Sequence, residues 1–111
     1  MKHNRTAKAT HEGYIKVLDG IERKTLVFGE KMLMTEFRLG KGNRLPFHQH
    51  PYEQTGYLVS GHLVLVIAGQ RNEMTPGSSW SIAGNVEHGA EIEEDSVAVE
   101  VFSPVREDYL P

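Results

Sequence analysis

The sequence contains no cysteine, which excludes a disulfide framework, a thiolate nucleophile and any cysteine-based zinc or iron–sulfur site. No apolar run approaches the ~20 residues that a membrane helix needs. Met1 to Thr10 is polar, so neither a secretory signal nor a membrane partner is expected, and a cytoplasmic setting is. A basic cluster is also missing. Residues 1–50 carry ten Lys/Arg against five Asp/Glu and residues 51–111 carry two against ten, but the basic side chains stand singly (Lys16, Arg23, Lys24, Lys31, Arg38, Lys41, Arg44). With no helix-turn-helix segment either, nucleic acid is not an expected partner. The last thing in short supply is helical periodicity.

What is present is an alternating pattern. The 111 residues suit one domain with one core. Residues 1–12 show no periodicity and read as an N-terminal arm, leaving residues 13–111 as the folded domain. Short runs rich in Val, Ile, Leu, Thr and Phe follow at Tyr14–Leu18, Ile21–Phe28, Met32–Leu39, Gln54–Ser60, His62–Ala68, Ser79–Ile82, Val86–Ile92 and Ser96–Phe102. Between them lie Asp19-Gly20, Gly40-Lys41-Gly42, Ser60-Gly61, Ala68-Gly69, Pro76-Gly77 and Gly84-Asn85, all turn chemistry. Ser60-Gly61 is expected to close a hairpin, with Leu63 to Ile67 covered on both faces. Strands at such spacing without helical crossovers predict an all-β, antiparallel barrel or jelly roll, the arrangement that hides sheet edges.

The stretch Pro46-Phe47-His48-Gln49-His50-Pro51 carries the most chemistry. In an extended strand, residues two apart face the same way, so His48 and His50 would reach one metal together. An exposed or packed histidine pair fits the same two residues. Gly42, His48, His50, Gln54 and Gly61 together resemble the first motif of the cupin superfamily, G-x5-H-x-H-x3–4-E-x6-G. Gln54 replaces the usual glutamate, and Glu53, one position earlier, would face the opposite side of a strand. Gly77, Ala83, Asn85 and His88 resemble a worn second motif, G-x5-P-x-G-x2-H-x3-N. The resemblance implies a single-domain cupin barrel holding a divalent transition metal through His48, His50, His88 and Gln54. Zinc, nickel, iron, manganese and copper all accept imidazole, and the sequence does not choose among them. Four neutral ligands leave the ion's charge unreduced, which favours Lewis-acid chemistry.

The ending Glu100-Val101-Phe102-Ser103-Pro104-Val105-Arg106-Glu107-Asp108-Tyr109, with HQHPYEQ and GYLVSG, is similar to the small pectin-degradation cupins that open and ketonise 4,5-unsaturated monouronates. That resemblance implies a metal-dependent isomerase of a small sugar acid with Glu100, Phe102 and Arg106 in its active site. Glu100 and Phe102, two apart, share a strand face, and Arg106 suits a substrate carboxylate. Two other readings are a three-histidine metal-dependent dioxygenase and a non-catalytic small-molecule-binding cupin. Exposed edge strands and the arm lead us to expect a homodimer. His3, His11 and His62 fall outside both motifs, and His62 is expected at the surface or rim.

Overall fold

In a computed structural model that describes residues 4–111, eight antiparallel strands carry almost all the regular structure. They are β1 (Ile15–Leu18), β2 (Ile21–Phe28), β3 (Leu33–Leu39), β4 (Arg44–His48), β5 (Glu53–Ile67), β6 (Gln70–Met74), β7 (Ser79–Ile82) and β8 (His88–Ser103), followed by a single 3-10 turn at Glu107–Tyr109. Among the described residues no helix is long and apolar enough to cross a membrane. His3 lies outside the described residues.

Two strands are far longer than the pattern suggested. β5 and β8 have 15 and 16 residues, and each bends rather than ends in its middle. The expected hairpin at Ser60-Gly61 is therefore corrected: Gly61 sits in a bulge where the β5–β8 register shifts repeatedly between Leu58 and Leu63. Its φ of +95° and its contact with Asp95 and Ser96 leave no room for a side chain, since a Cβ would come within 2.2 Å of Ser96 Oγ. A bulge turns a strand through a corner without breaking its ladder. The hairpin instead closes at Ala68-Gly69, where both residues have positive φ, 48° and 81°. That is the signature of the tight turn that matches strand twist.

The two bends fold one sheet into two layers. The first half of β5 and the second half of β8 pair with each other and with β7 and β3, and β2 and β1 extend that layer. The second half of β5 and the first half of β8 pair with each other and with β6 and β4. This is the expected antiparallel jelly roll. Ile21, Leu39, Leu58, Leu63, Leu65, Ala90, Ile92 and Ala98 form the core between the layers. Burial of a Leu or Ile side chain contributes about 1.5–3 kcal/mol, so these residues carry much of the stability. Because β8 doubles back, its first residue His88 and its near-last residues Glu100 and Phe102 all reach the same interior.

Residues 4–12 form no strand or helix and lie along β2 of their own chain. Arg5 stacks on Phe28 at 4.5 Å and its Nη1 donates to the Phe28 carbonyl, while Lys24 Nζ donates to the Thr10 carbonyl.

Candidate metal centre

Three imidazoles meet inside the barrel. His48 ends β4, His50 lies just beyond it, and His88 begins β8, opposite His48 in the β4–β8 ladder. The expectation that one extended strand carries both His48 and His50 is thus half met: β4 stops at His48, yet the two rings stay together with centroids 5.8 Å apart. His88 lies 4.2 Å from the His48 ring and 5.1 Å from the His50 ring. Each Nδ1 bonds a backbone carbonyl two residues away: Pro46 for His48 at 2.8 Å, Tyr52 for His50 at 3.0 Å, and Val86 for His88 at 2.9 Å. A carbonyl only accepts, so Nδ1 holds the proton and Nε2 keeps its lone pair. Nitrogens from the three rings lie within 4.8 Å of one another. Burial pushes His88 down to about 4 and also lowers His50, with the Arg106 charge adding to the effect. Both are neutral near pH 7, the form that binds a metal.

Gln54 comes from β5 and is 5% exposed, whereas Glu53 points to solvent. Its Nε2 donates to Glu100 Oε2 at 2.8 Å, and Trp80 Nε1 donates to Glu100 Oε1 at 2.5 Å. Burial raises Glu100 to about 7, against the pull of the Trp80 and Gln54 hydrogen bonds. Two buried polar atoms in this region have no hydrogen-bond partner, His50 Nε2 and Gln54 Oε1. A buried orphan costs about 1–3 kcal/mol, so two lone pairs left beside each other call for a shared partner. Two neutral imidazole nitrogens, a third close by and an amide oxygen fit a divalent transition cation as that partner.

A cavity of about 320 Å³ opens onto this cluster, at the small end of the ~300–1,000 Å³ common for small-molecule sites. Leu39, Leu45, Leu63, Leu65, Ala90 and Ala98 line its apolar part. Arg106 and Tyr109 close one side of it from the C-terminal segment. The Arg106 guanidinium lies 3.9 Å from the Tyr109 ring, 4.8 Å from Phe102 and 5.0 Å from Tyr52. Its Nη2 donates to Asp108 Oδ2 at 2.9 Å. Phe102 is 2% exposed and meets the His50 ring edge-on at 5.7 Å.

The model of the Cupin_2 family, described as a cupin domain, matches residues 35–104. The chain is a cupin. It is 32% identical over 94 residues to the pectin degradation protein KdgF of Dickeya dadantii, a match covering 83% of this chain and 86% of that one. It is also 36% identical over 69 residues to the H2HPP isomerase of Bacillus subtilis, covering 60% of this chain but only 29% of that protein. Among solved structures, KdgF from Halomonas superposes with a TM-score of 0.90 at 26% identity, covering 97% of this chain and 100% of that one. An RmlC-like cupin from Shewanella frigidimarina gives the same TM-score, 0.90, at 24% identity and 98% coverage of both chains.

In this cupin the structure brings His48, His50, Gln54, His88, Glu100, Phe102 and Arg106 around one cavity. His62 stays apart, bonded to Glu73 on β6. Asp108 was readable from the sequence as one possible partner of Arg106, and three residues at the site escaped that reading: Trp80, Tyr52 and Tyr109. Trp80 and Tyr52 carry no spacing signal. Asp108 and Tyr109 stand two and three positions after Arg106, and that proximity was the available clue.

Proposed function

We propose that this cupin holds one divalent transition metal through His48, His50, His88 and Gln54 and isomerises a small sugar acid, opening and ketonising an unsaturated uronate. The observation that carries the metal reading is the pair of buried, partnerless atoms, His50 Nε2 and Gln54 Oε1, beside two more imidazoles held in the same tautomer. A cation held by four neutral ligands supplies undiminished Lewis acidity to substrate oxygens. Arg106, held in its aromatic cage, grips the substrate carboxylate. Phe102 walls the cavity and excludes water from the polar groups. Glu100, with a pKa near 7, holds or releases a proton at its carboxylate inside the cavity wall. The overall change moves one proton: the hemiacetal hydroxyl loses it as the bond from C1 to the ring oxygen breaks, and C4 gains one as C5 becomes a ketone. It needs no oxidant and no second substrate.

Relatives named for pectin degradation and for isomerase activity support this class of reaction. Decay of the ultraviolet absorbance of an unsaturated monouronate tests it. Metal-loaded protein is expected to accelerate the decay and Arg106→Ala to lower kcat/KM about 100-fold, the range for truncating one partner of a buried charge pair. No acceleration by the loaded protein would remove the uronate assignment. We also propose a homodimer formed through the outer face of the longer layer, where Met34, Tyr57 and Val59 stand exposed beside Val99 and Val101. Light scattering at the mass of one chain would refute it.

A further inference from the structure

A glutamine is an ambiguous metal ligand. Its two ends are nearly the same shape, but only the oxygen binds a cation, and an amide NH2 turned inward repels one. Something must choose. In this chain the choice is visible as a row of side chains across three strands. Gly56 on β5 pairs with Trp80 on β7 on one side and with Glu100 on β8 on the other. A Cβ at Gly56 would come within 1.9 Å of Glu100 Oε1 and 2.1 Å of Trp80 Nε1, so the glycine is what lets the indole and the carboxylate meet over the β5 backbone. Trp80 Nε1 donates to Oε1 at 2.5 Å and to Oε2 at 3.3 Å. Gln54, two residues before Gly56 on the same face, donates its Nε2 to Oε2 at 2.8 Å. Both oxygens of Glu100 therefore accept N–H groups, the NH2 of Gln54 is committed, and Oε1 is left among the imidazoles without a partner.

We infer that Trp80, Gly56 and Glu100 form a positioning device that fixes the sense of the Gln54 carboxamide, so that Glu100 governs cation affinity as well as any proton transfer. This rests on the metal reading above. It gives the glutamate a role that is measurable with no sugar present. Glu100→Gln keeps the size of the side chain and its bond from Trp80, but turns an NH2 toward Gln54. Gln54 then meets it with its own oxygen and sends its NH2 to the histidines. Outer-shell partners of metal ligands typically alter affinity by about 10–100-fold when changed.

The test is zinc titration calorimetry, repeated with nickel, on full-length wild type, Glu100→Gln and the exchanged pair Gln54→Glu with Glu100→Gln. The exchanged pair offers a carboxylate oxygen to the ion and accepts the NH2 of the new glutamine with its other oxygen. We expect Glu100→Gln to weaken binding about 10–100-fold and the exchanged pair to recover it to within a few-fold of wild type or better. A structural role alone would not be rescued by exchanging the two side chains. Equal affinity of Glu100→Gln and wild type would overturn the inference while leaving the metal centre standing, as would failure of the exchanged pair to regain affinity. Absence of binding by wild type would overturn the metal reading itself.

Discussion

The barrel interior has two parts built from the same two strands, and they obey opposite rules. Around Ile21, Leu58 and Ile92, none more than 3% exposed, the inward side chains are mostly hydrocarbon and the one buried hydroxyl, Ser96, is hydrogen-bonded to backbone. Around His48, His50, Gln54, His88 and Glu100 the inward side chains are polar, a cavity remains, and two lone-pair atoms are left unpartnered. β5 carries Gln54 in one part and Leu58 in the other, and β8 carries Ile92 in one part and Glu100 in the other. The polar part is tolerable because the apolar part supplies the stability, so stability and ligand binding are expected to respond to different residues.

The largest effect that would sharpen this contrast is Leu58→Ala. It is expected to lower unfolding free energy by about 2–5 kcal/mol in denaturant titration, through lost burial and a residual cavity. Zinc affinity of the folded protein should stay within a few-fold of wild type. Next comes His50→Ala, the converse case. It removes the partnerless Nε2 together with the Nδ1 bond to the Tyr52 carbonyl, two opposing effects of about 1 kcal/mol each, so the metal-free protein should keep its stability to within about 1 kcal/mol. Added zinc, which should raise the Tm of wild type by mass action, should no longer do so. Equal zinc-induced stabilisation of both proteins would break the comparison. The smallest effect is on pH dependence of the metal-free protein. His88 binds its proton near pH 4 when folded and near 6.5 when unfolded. Between those values His88 holds more proton in the unfolded chain, so its contribution to stability should fall as pH drops from 6.5 towards 4 and change little above 6.5. Glu100, raised to about 7, acts in the opposite sense over the same range, so the check compares wild type with His88→Ala. Going from pH 7 to 4.5 should cost wild type more denaturant midpoint, or gain it less, than His88→Ala, and the reverse order would contradict it.

Much of this was legible in the chain. β2 runs over Ile21–Phe28 as the alternation predicts, and the two-residue period put Gln54 and Glu53 on opposite faces, of which the structure shows Gln54 to be the buried one. The resemblance of the stretches around His48, His50 and His88 to the two cupin motifs implied their convergence, which the three rings show. Two strands were not legible. β4 contains Pro46 and β6 reads Gln-Arg-Asn-Glu-Met, so neither offers the apolar alternation that marks a half-buried strand. The bends of β5 and β8 were misread for a different reason. A glycine at positive φ serves a hairpin and a bulge equally well, and only the long-range pairing of Gln54 with Phe102 and Ile67 with His88 distinguishes them. Trp80 was invisible as a site residue because its role depends on a cross-strand row through Gly56, which no local pattern encodes.

The central claim is that three imidazole Nε2 atoms and the Gln54 oxygen share one cation. Anomalous scattering from a crystal of the zinc-loaded protein, collected across the zinc edge, tests it most directly. The account predicts a single strong peak per chain at about 2.0–2.2 Å from the Nε2 atoms of His48, His50 and His88 and near Gln54 Oε1. A peak elsewhere, or one bound by the histidines with the Gln54 nitrogen turned toward it, would contradict the account.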